Sequence, residues 1–414
     1  MNIAIIGSGP AGCYLADHLL RLIPAASIDI VEKLPVPFGL IRYGVAPDHQ
    51  STKNVARLFD RLLSRDRVSF FGNVEVGRDV KLNELLSLYD AVVLATGAAR
   101  DRPLGIAGED LRGVLGSGAF VGWYNGHPHS RPPAANRVRS AVVIGNGNVA
   151  IDVARILAKS REELAGSDLP HEVLNWLDEQ PLETIHVIGR RGAAEAKFND
   201  HELAELGTLQ RARPVISDPA ALAGDGAVAK ILRDFADAPM RETPVSIHFD
   251  FNLAPTAFLG ETDLRVVQFR SASGEVVEIP AQLAVTCIGY ESLPCCTAAP
   301  ENGVFANQDG KIDDRLYVVG WAKRGPSGTI PTNRVEAQQV AQKMAQEISE
   351  GNRSGTAALR RVLEERGVRS VDYAGWRRID AAELSGASSE RCRQKLCSTN
   401  EMLEAAHAGQ LRPA

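Results

Sequence analysis

The sequence predicts an α/β protein with two Rossmann-like dinucleotide-binding domains, one inserted into the other. Two glycine-rich turns, at residues 7–12 and 145–150, each lie between a β-branched apolar run and a stretch with helical spacing of apolar residues. Two later apolar runs, at residues 89–98 and 282–290, also end alike, each running into a glycine. Matching starts and matching ends predict a duplicated nucleotide-binding unit.

Length and charge are consistent with this class. A chain of 414 residues that is 44% hydrophobic exceeds what one core usually holds, so two domains are expected. The net charge of -5 predicts neither a nucleic-acid partner nor attraction to an anionic membrane. No apolar run approaches the roughly 18 residues of a membrane span, and the apolar start lacks the basic leader of a secretion signal. The sequence therefore predicts a cytoplasmic protein.

The first turn follows the run NIAII and supplies Gly7, Gly9 and Gly12. The first glycine permits the tight turn, the second lets a pyrophosphate approach the backbone, and the third lets the helix pack on its strand. The next strand, in SIDIVEK, places Glu32 about 20 residues beyond the last glycine, where a carboxylate can accept from a ribose hydroxyl. Because a carboxylate repels a 2′-phosphate, this turn is predicted to bind FAD or NAD rather than NADP.

The second turn follows SAVVI and carries Gly145, Gly147 and Ala150 at the glycine positions. The next strand, TIHVI, is followed by GRRG, so Arg190 and Arg191 stand where the first repeat has an acid. Paired guanidinium groups suit a phosphate dianion, which predicts an NADP-specific turn. The alternative is that both arginines belong to a solvated loop. The long connection before this strand, broken by two prolines, predicts an inserted helix.

The cysteines do not show the spacing of a metal site, and no metal is expected. Cys392 and Cys397 have the CxxxxC spacing of some flavin disulfide reductases, in which, however, the pair follows the first nucleotide turn. A redox-active pair and ordinary reduced thiols remain the two interpretations.

Five motifs in order resemble the adrenodoxin reductase-type family of NADPH-ferredoxin reductases: PFGLIRYGVAPDHQSTKNV, FVGWYNGHP, GNGNVAIDVAR, GRRG and GWAKRGPSGTI. The resemblance runs from residue 2 to about 335 and weakly through VDYAGWRRIDAAE. It implies a flavoprotein in which NADPH reduces FAD by hydride transfer and FAD passes single electrons to a separate ferredoxin-type iron-sulfur protein. It also implies an FAD domain of residues 1–98 and 297–414, with the NADP domain of residues 99–296 inserted.

The resemblance assigns cofactor contacts position by position. For FAD they are Ala11, Glu32, Leu40, Val76, Trp321, Gly328, Thr329 and Ile330. For NADP they are Asn146, Gly147, Asn148, Val149, Arg190, Arg191, Glu202 and Gly328. The two sets meet at Gly328, where two flat rings in contact would leave no room for a side chain. Two positions depart from the family: Ala204 replaces an arginine that helps to dock the partner, and Pro331 replaces a small residue.

Three residues are candidates for the chemistry. His49 lies in a loop and is predicted to relay a proton or position a group near the flavin. Asp152 lies on the apolar face of the second nucleotide helix, and Glu202 resembles the family's carboxylate near the nicotinamide amide. The alternatives are a loop-fixing histidine, a helix-to-loop hydrogen bond and an exposed helix acid.

Two basic sets are candidates for docking an acidic partner. Lys53, Arg57, Arg61 and Arg65 repeat every four residues along one predicted helix, and a second set comprises Lys230, Arg233 and Arg241. Solvated helix faces explain both sets as well. Two other functions remain open: an FAD- and NADPH-dependent monooxygenase, and an electron-transfer subunit of a larger complex.

Overall fold

The computed structural model describes residues 1–219, 222, 224–295, 298–349 and 351–409. The chain divides into two compact units. The first consists of Met1–Val45, His49–Arg100 and Tyr290–Ala414, and the second of Ala46–Asp48 and Asp101–Gly289. The predicted boundary between residues 296 and 297 lies outside the described residues.

Two contacts join the beginning of the last segment, which starts at Tyr290, to the rest of the first unit. Glu291 forms an ion pair with Arg100 at 2.8 Å, and the hydroxyl of Ser292 donates to the carbonyl of Gly97 at 3.0 Å. The preceding strand Leu283–Thr286, in contrast, belongs to the sheet of the second unit. The chain therefore returns to the first unit soon after that strand ends.

The helices and strands follow one another in chain order. Up to residue 101 they are β1 Asn2–Ile6, α1 Pro10–Leu22, β2 Ser27–Val31, α2 Leu40–Tyr43, α3 Gln50–Lys53, α4 Ala56–Leu63, β3 Val68–Phe71, α5 Leu82–Leu88, β4 Ala91–Leu94 and β5 Arg100–Asp101. Up to residue 286 they are β6 Val114–Gly116, α6 Ser117–Tyr124, β7 Ser140–Ile144, α7 Asn148–Ala158, α8 His171–Glu179, β8 Thr184–Ile188, α9 Asp200–Glu205, β9 Ala212–Ile216, α10 Ala227–Asp237, β10 Val245–Asp250, β11 Leu253–Leu259, β12 Val266–Ser271, β13 Val276–Pro280 and β14 Leu283–Thr286. The remainder are β15 Tyr290–Glu291, β16 Lys311–Asp313, β17 Leu316–Val318, α11 Trp321–Arg324, α12 Ile330–Glu347, α13 Gly355–Glu365, α14 Tyr373–Ser385 and α15 Thr399–Ala406.

The sheet of the first unit has the order β16-β17-β4-β1-β2-β3, and only the β16–β17 pair is antiparallel. Its central strands are continuous Val, Ile, Leu and Ala runs because helices cover a parallel sheet on both faces. Ile3, Ile5, Val92 and Val93 are fully buried. The sheet places the carboxyl end of β1 between the ends of β2 and β4, where the first glycine-rich turn begins.

The second unit repeats this arrangement with the parallel order β6-β14-β7-β8-β10-β9. In it β7 lies between β14 and β8, as β1 lies between β4 and β2. A three-stranded antiparallel sheet of β11, β12 and β13 is added, and α8 is the predicted inserted helix. The expected α/β class, with two nucleotide-binding units that share matching strand endings, is confirmed.

Candidate functional site

The first turn, between β1 and α1, leaves no room for side chains at its first and third glycines. Gly7 has a φ of +109°, and a Cβ atom there would lie 2.4 Å from the carbonyl oxygen of Ala95. A Cβ atom at Gly12 would lie 2.3 Å from the carbonyl oxygen of Gly7. Both positions therefore keep α1 and the end of β4 against the turn.

Gly9, by contrast, faces open space. It is the N-cap residue of the 13-residue helix α1, and a Cβ atom added to it would meet no heavy atom within 4 Å. The first N–H groups of a helix have no partner within the helix. These groups, which include that of Ala11, and the space beside Gly9 form a site suited to a pyrophosphate.

The carboxylate of Glu32 is buried at the end of β2 and holds the first turn. Its Oε2 atom accepts from the N–H and the hydroxyl of Ser8 at 3.0 and 2.7 Å, and its Oε1 atom accepts from the N–H of Leu34 at 3.1 Å. Each carboxylate oxygen offers two acceptor positions, so Oε1 retains the capacity to bind a further donor. The bond between Glu32 and Ser8 was not predicted, because a glycine-turn pattern does not specify the side chain between its glycines.

Leu40 and Val76 belong to the same unit. Leu40 begins α2 and is 44% exposed although it is apolar. The preceding Gly39 packs on the turn, since a Cβ atom there would lie 3.1 Å from the Cα atom of Gly9. Val76 is half-buried and pairs with Val80 through an isolated β-bridge.

The predicted flavin contacts in the last segment of the first unit lie between the start of α11 and the start of α12. The Trp321 ring stacks on Tyr290 with centroids 5.9 Å apart, and its Nε1 atom donates to the carbonyl of Ser327 at 3.1 Å. Gly328 has a φ of +79° and is exposed. Thr329 caps the helix that begins at Ile330. Pro331 lies in the first helical turn, where the missing N–H costs no hydrogen bond.

The second turn, between β7 and α7, has the geometry of the first. Gly145 has a φ of +143°, and a Cβ atom there would lie 2.3 Å from the carbonyl oxygen of Cys287, just after β14. Gly147 is the N-cap residue of α7, and an added Cβ atom would meet nothing within 4 Å. Ala150 is fully buried at the third position. Both units thus combine two closed glycine or alanine positions with one open glycine.

Two asparagines flank Gly147. The side chain of Asn146 lies against Gly189, where a Cβ atom would come within 1.9 Å of its Nδ2 atom, and its Oδ1 atom is buried without a partner in the part of the chain that the structure describes. The Oδ1 atom of Asn148 accepts from the N–H of Asn199 at 2.7 Å. Val149 packs against the core of the second unit. Asn146 therefore offers an acceptor that the protein itself does not use.

Arg190 and Arg191 follow β8 after Gly189 and are both exposed. No carboxylate of the described residues forms an ion pair with either guanidinium group. The backbone carbonyl of Arg191 accepts from the N–H of Asn252 at 3.2 Å, which fixes the loop while leaving the side chain in solvent. Two exposed cations on a fixed loop next to the second turn suit a phosphate.

The three candidate residues for the chemistry have different surroundings. Glu202 lies on α9, and its Oε2 atom is buried without a hydrogen-bond partner among the residues described. Asp152 forms an ion pair with Arg155 at 2.8 Å, which supplies the partner that a buried carboxylate needs. The backbone carbonyl of His49 accepts from the N–H groups of Thr52 and Lys53 at 3.1 and 3.2 Å.

Arg155 organises an ionic cluster that sequence reasoning missed. It is fully buried in α7 and pairs with Asp48 at 3.0 Å and with Glu205 at 3.5 Å, in addition to Asp152. Lys159 binds Asp48 at 2.7 Å. Burial raises the pKa of Asp48, but the two cations outweigh it and hold that pKa well below its usual range. The sequence signal for this cluster was an arginine, Arg155, on the apolar face of a predicted helix. That signal did not indicate that Asp48 would be its partner.

The first basic set does not form the predicted stripe. The predicted single helix is divided into α3, which ends at Lys53, and α4, which begins at Ala56 and buries Phe59. Lys53 is itself buried. Arg65 lies beyond the end of α4 and pairs with Asp17 at 3.0 Å.

All three side chains of the second basic set have contacts within the protein. Lys230 pairs with Asp234 at 3.0 Å, and Arg233 donates to the carbonyl of Gly224 at 2.8 Å. Arg241 donates to the carbonyls of Leu209 and Ala212. The ion pair offsets the charge of Lys230, whereas Arg233 and Arg241 keep their positive charges but have donors committed to backbone carbonyls.

Cys392 and Cys397 are not joined by a disulfide. Cys392 is exposed, and the thiol of Cys397 donates to the carbonyl of Lys395 at 3.5 Å.

Ala204, which replaces the family's docking arginine, is exposed on α9.

The donor and acceptor sets fit two different dinucleotides. The first unit combines an open glycine turn with a carboxylate and has no guanidinium at the matching position. The second combines an open glycine turn with two exposed arginines and two unused buried acceptors, on Asn146 and Glu202. The difference lies at the same topological position, after the second strand of each unit.

Comparison with known proteins agrees with this geometry. The sequence model of the family described as "Pyridine nucleotide-disulphide oxidoreductase" matches residues 1–345. The chain belongs to this family.

The oxidoreductase relatives cover almost the whole chain. "NADPH:adrenodoxin oxidoreductase, mitochondrial" of Bos taurus is 37% identical over 97% of this chain and 91% of its own length. "Cindoxin reductase" of Citrobacter braakii is 40% identical over 97% of this chain and 90% of its own. The solved structure "Mycobacterium tuberculosis FprA in complex with NADPH" has a TM-score of 0.92 and 36% identity, covering 98% of this chain and 99% of its own.

These relatives confirm the predicted resemblance and the predicted class of enzyme, an NADPH-dependent flavoprotein reductase. None of the described helices is both long and apolar enough to cross a bilayer.

Proposed function

We propose that this protein is a ferredoxin reductase of the adrenodoxin reductase type. It takes electrons from NADPH and delivers them singly to a separate iron-sulfur protein. The observation that carries the proposal is the pair of matching glycine turns, one followed by the carboxylate of Glu32 and the other by the guanidinium groups of Arg190 and Arg191.

FAD, when bound, accepts two electrons as a hydride from NADPH and can give them up one at a time. The first unit holds it: Gly9 and Ala11 bind the pyrophosphate, and Glu32 orients the adenosine ribose. Leu40 and Val76 would supply further, apolar contacts to the cofactor. Trp321, Gly328, Thr329 and Ile330 complete this set.

The second unit holds NADP(H). Gly147, Asn148 and Val149 bind the pyrophosphate at the start of α7, and Arg190 and Arg191 bind the 2′-phosphate. Asn146 and Glu202 supply the two unused buried acceptors, and Glu202 accepts from the nicotinamide amide.

His49 and Asp152 are proposed as positioning groups near the reacting rings. Asp152 is suited to this role because its ion pair with Arg155 fixes the position of the carboxylate. No residue needs to act as a nucleophile, since the chain aligns and orients the two cofactors.

The proposed partner follows from the relatives' names. Two are named as reductases of adrenodoxin and cindoxin, and the Mycobacterium tuberculosis protein FprA is named "NADPH-ferredoxin reductase FprA". The proposed acceptor is therefore an iron-sulfur protein of the ferredoxin type. With a net charge of -5, neither nucleic acid nor a membrane surface is a proposed partner. We propose that the protein works in the cytoplasm.

Turnover with NADPH is expected to require a one-electron acceptor. Ferricyanide should accept electrons directly, whereas cytochrome c should be reduced rapidly only when a ferredoxin-type protein such as adrenodoxin is added. The measurement is the initial rate of cytochrome c reduction with and without the ferredoxin. Rapid cytochrome c reduction that no ferredoxin alters would contradict the proposal, and fast oxygen consumption coupled to a substrate would favour a monooxygenase.

The purified protein is expected to be yellow and to hold one FAD without a covalent bond, because the first unit offers only non-covalent contacts at the positions assigned to FAD. Acid precipitation should release the flavin into the supernatant, where chromatography against FAD and FMN standards identifies it. A colourless, folded protein that does not bind added FAD would refute the assignment of the first unit as the FAD site.

A further inference from the structure

The C-terminal part of the first unit packs against a short loop near the first glycine turn. The loop comprises residues 38–43 and contains α2. The packing segment comprises residues 373–397, which include α14. This segment lies beyond residue 345, where the match to the family's sequence model ends.

The 38–43 loop rests on the turn that is open at Gly9. The N–H of Phe38 donates to the carbonyl of Ser8 at 3.2 Å. A Cβ atom at Gly39 would lie 3.1 Å from the Cα atom of Gly9, so the two backbones are nearly in contact. Phe38 has a φ of 84°, which is strained for a residue with a side chain, so neighbouring groups must maintain this conformation. Gly39 adopts its φ of 49° without such strain. Any shift of this loop would change the space beside Gly9.

A buried ion pair ties the loop to α14. The guanidinium group of Arg42 donates to both carboxylate oxygens of Glu383, with Nη1 3.0 Å from Oε2. The side chain of Glu383 is fully buried and that of Arg42 is 6% exposed. Glu383 also accepts from Arg393 at 2.8 Å and from the N–H of Leu396 at 2.9 Å.

Further contacts hold the backbone and the ring of the loop. The carbonyl of Arg42 accepts from the ammonium group of Lys395 at 3.3 Å and from that of Lys53 at 3.5 Å. The ring of Trp376 meets Phe38 edge to face, with centroids 5.5 Å apart. The 373–397 segment therefore contacts the 38–43 loop through an ion pair, a hydrogen bond to a backbone carbonyl and an aromatic contact.

Stability alone does not account for this arrangement. Burial would raise the pKa of Glu383, but Arg42 and Arg393 hold it below its ordinary value, so the group stays charged. A buried ion pair usually adds little net stability compared with apolar residues of the same size, whereas removing one partner is strongly unfavourable. Such a pair is therefore well suited to fixing one conformation of the loop.

We propose that Arg42 and Glu383 are positioning residues for FAD, through which the 373–397 segment keeps the 38–43 loop against the first glycine turn. The inference rests on the proposed function, because it takes the first turn as the FAD site. It adds a segment beyond the end of the match to the family's sequence model to the determinants of flavin affinity.

Glu383→Gln tests the inference with nearly unchanged shape. The dissociation constant for FAD, measured by adding FAD to apoprotein and following flavin fluorescence, is expected to rise at least about tenfold. The dissociation constant for NADP⁺, measured by calorimetry on the same apoprotein, is expected to stay the same because its proposed site lies in the second unit. A change confined to FAD separates a positioning role from general loss of stability.

Glu390→Gln is the matched control. Glu390 lies in the same segment but is exposed, and the same change of carboxylate to amide there should leave FAD affinity unchanged. Arg42→Lys is the second variant, since lysine keeps the charge but cannot form the two-pronged contact, and it should weaken FAD severalfold. If Glu383→Gln does not fold by circular dichroism, Arg42→Lys decides.

Unchanged FAD affinity in a folded variant would overturn the inference, as would equal weakening of FAD and NADP⁺ or failure of both variants to fold. Failure of the wild-type protein to bind FAD would instead refute the proposed function.

Discussion

Replacing Arg190 and Arg191 together by alanine is expected to raise the KM for NADPH on the order of a hundredfold. Each charge-assisted hydrogen bond to the 2′-phosphate contributes roughly 1.5 to 3 kcal/mol, and neighbouring groups and water recover part of the loss. A net loss of about 2.7 kcal/mol corresponds to that factor. Both guanidinium groups are exposed, so their removal should not disturb the core.

The kinetic pattern distinguishes phosphate binding from a structural role. The KM for NADH, which lacks the 2′-phosphate, should hardly change. Because the 2′-phosphate and the nicotinamide lie at opposite ends of NADPH, kcat at saturating NADPH should stay near its wild-type value, as when uniform binding is lost. The measurement is steady-state reduction of ferricyanide with each nucleotide.

A matched control removes two other positive charges from the same unit. Arg265 and Arg270 are exposed in and beside β12, and neither is proposed to contact a cofactor. Arg265→Ala with Arg270→Ala changes the net charge equally and should leave both KM values unchanged. Equal weakening of NADPH and NADH in the Arg190 and Arg191 double variant would mean that these arginines are structural and that the second turn is not specific for NADP.

Local patterns predicted the parts of the fold that local physics determines. A β-branched run followed by a glycine-rich turn and an amphipathic helix specifies both nucleotide turns, and the positive φ of Gly7 and Gly145 agrees with their spacing. The inserted helix was predicted because Pro170 and Pro181 bracket it. Each of these features is encoded within about 20 residues.

Contacts between distant parts of the chain were not predictable. Arg155 meets Asp48, and Arg42 meets Glu383, across 107 and 341 residues. Periodicity identifies which face of a helix is buried but not which charge it will meet there. The prediction of a basic stripe beginning at Lys53 was wrong for the same reason. The side chain of Lys53 is buried and donates to the carbonyl of Arg42, a contact that the spacing of the basic residues does not reveal.

Valine at either open glycine should abolish binding of one dinucleotide and spare the other. Gly9 and Gly147 both have extended backbone conformations, with φ of -70° and -125°, which valine adopts readily. An added Cβ atom meets no protein atom within 4 Å at either position, so both variants should fold. By contrast, Gly7→Ala should destabilise the first unit, because its Cβ atom would lie 2.4 Å from a carbonyl oxygen.

The expected result is a double dissociation. In Gly9→Val the side chain fills the space proposed for the FAD pyrophosphate, so FAD affinity should fall by more than about a thousandfold, or roughly 4 kcal/mol, with NADP⁺ affinity unchanged. In Gly147→Val, NADP⁺ affinity should fall similarly while the protein stays yellow. Flavin fluorescence and calorimetry on apoprotein measure the two constants, and each variant is the other's control for folding. If Gly9→Val kept FAD and lost NADP⁺, the assignment of the two turns would have to be exchanged. If each variant lost both ligands, neither turn would be an independent site.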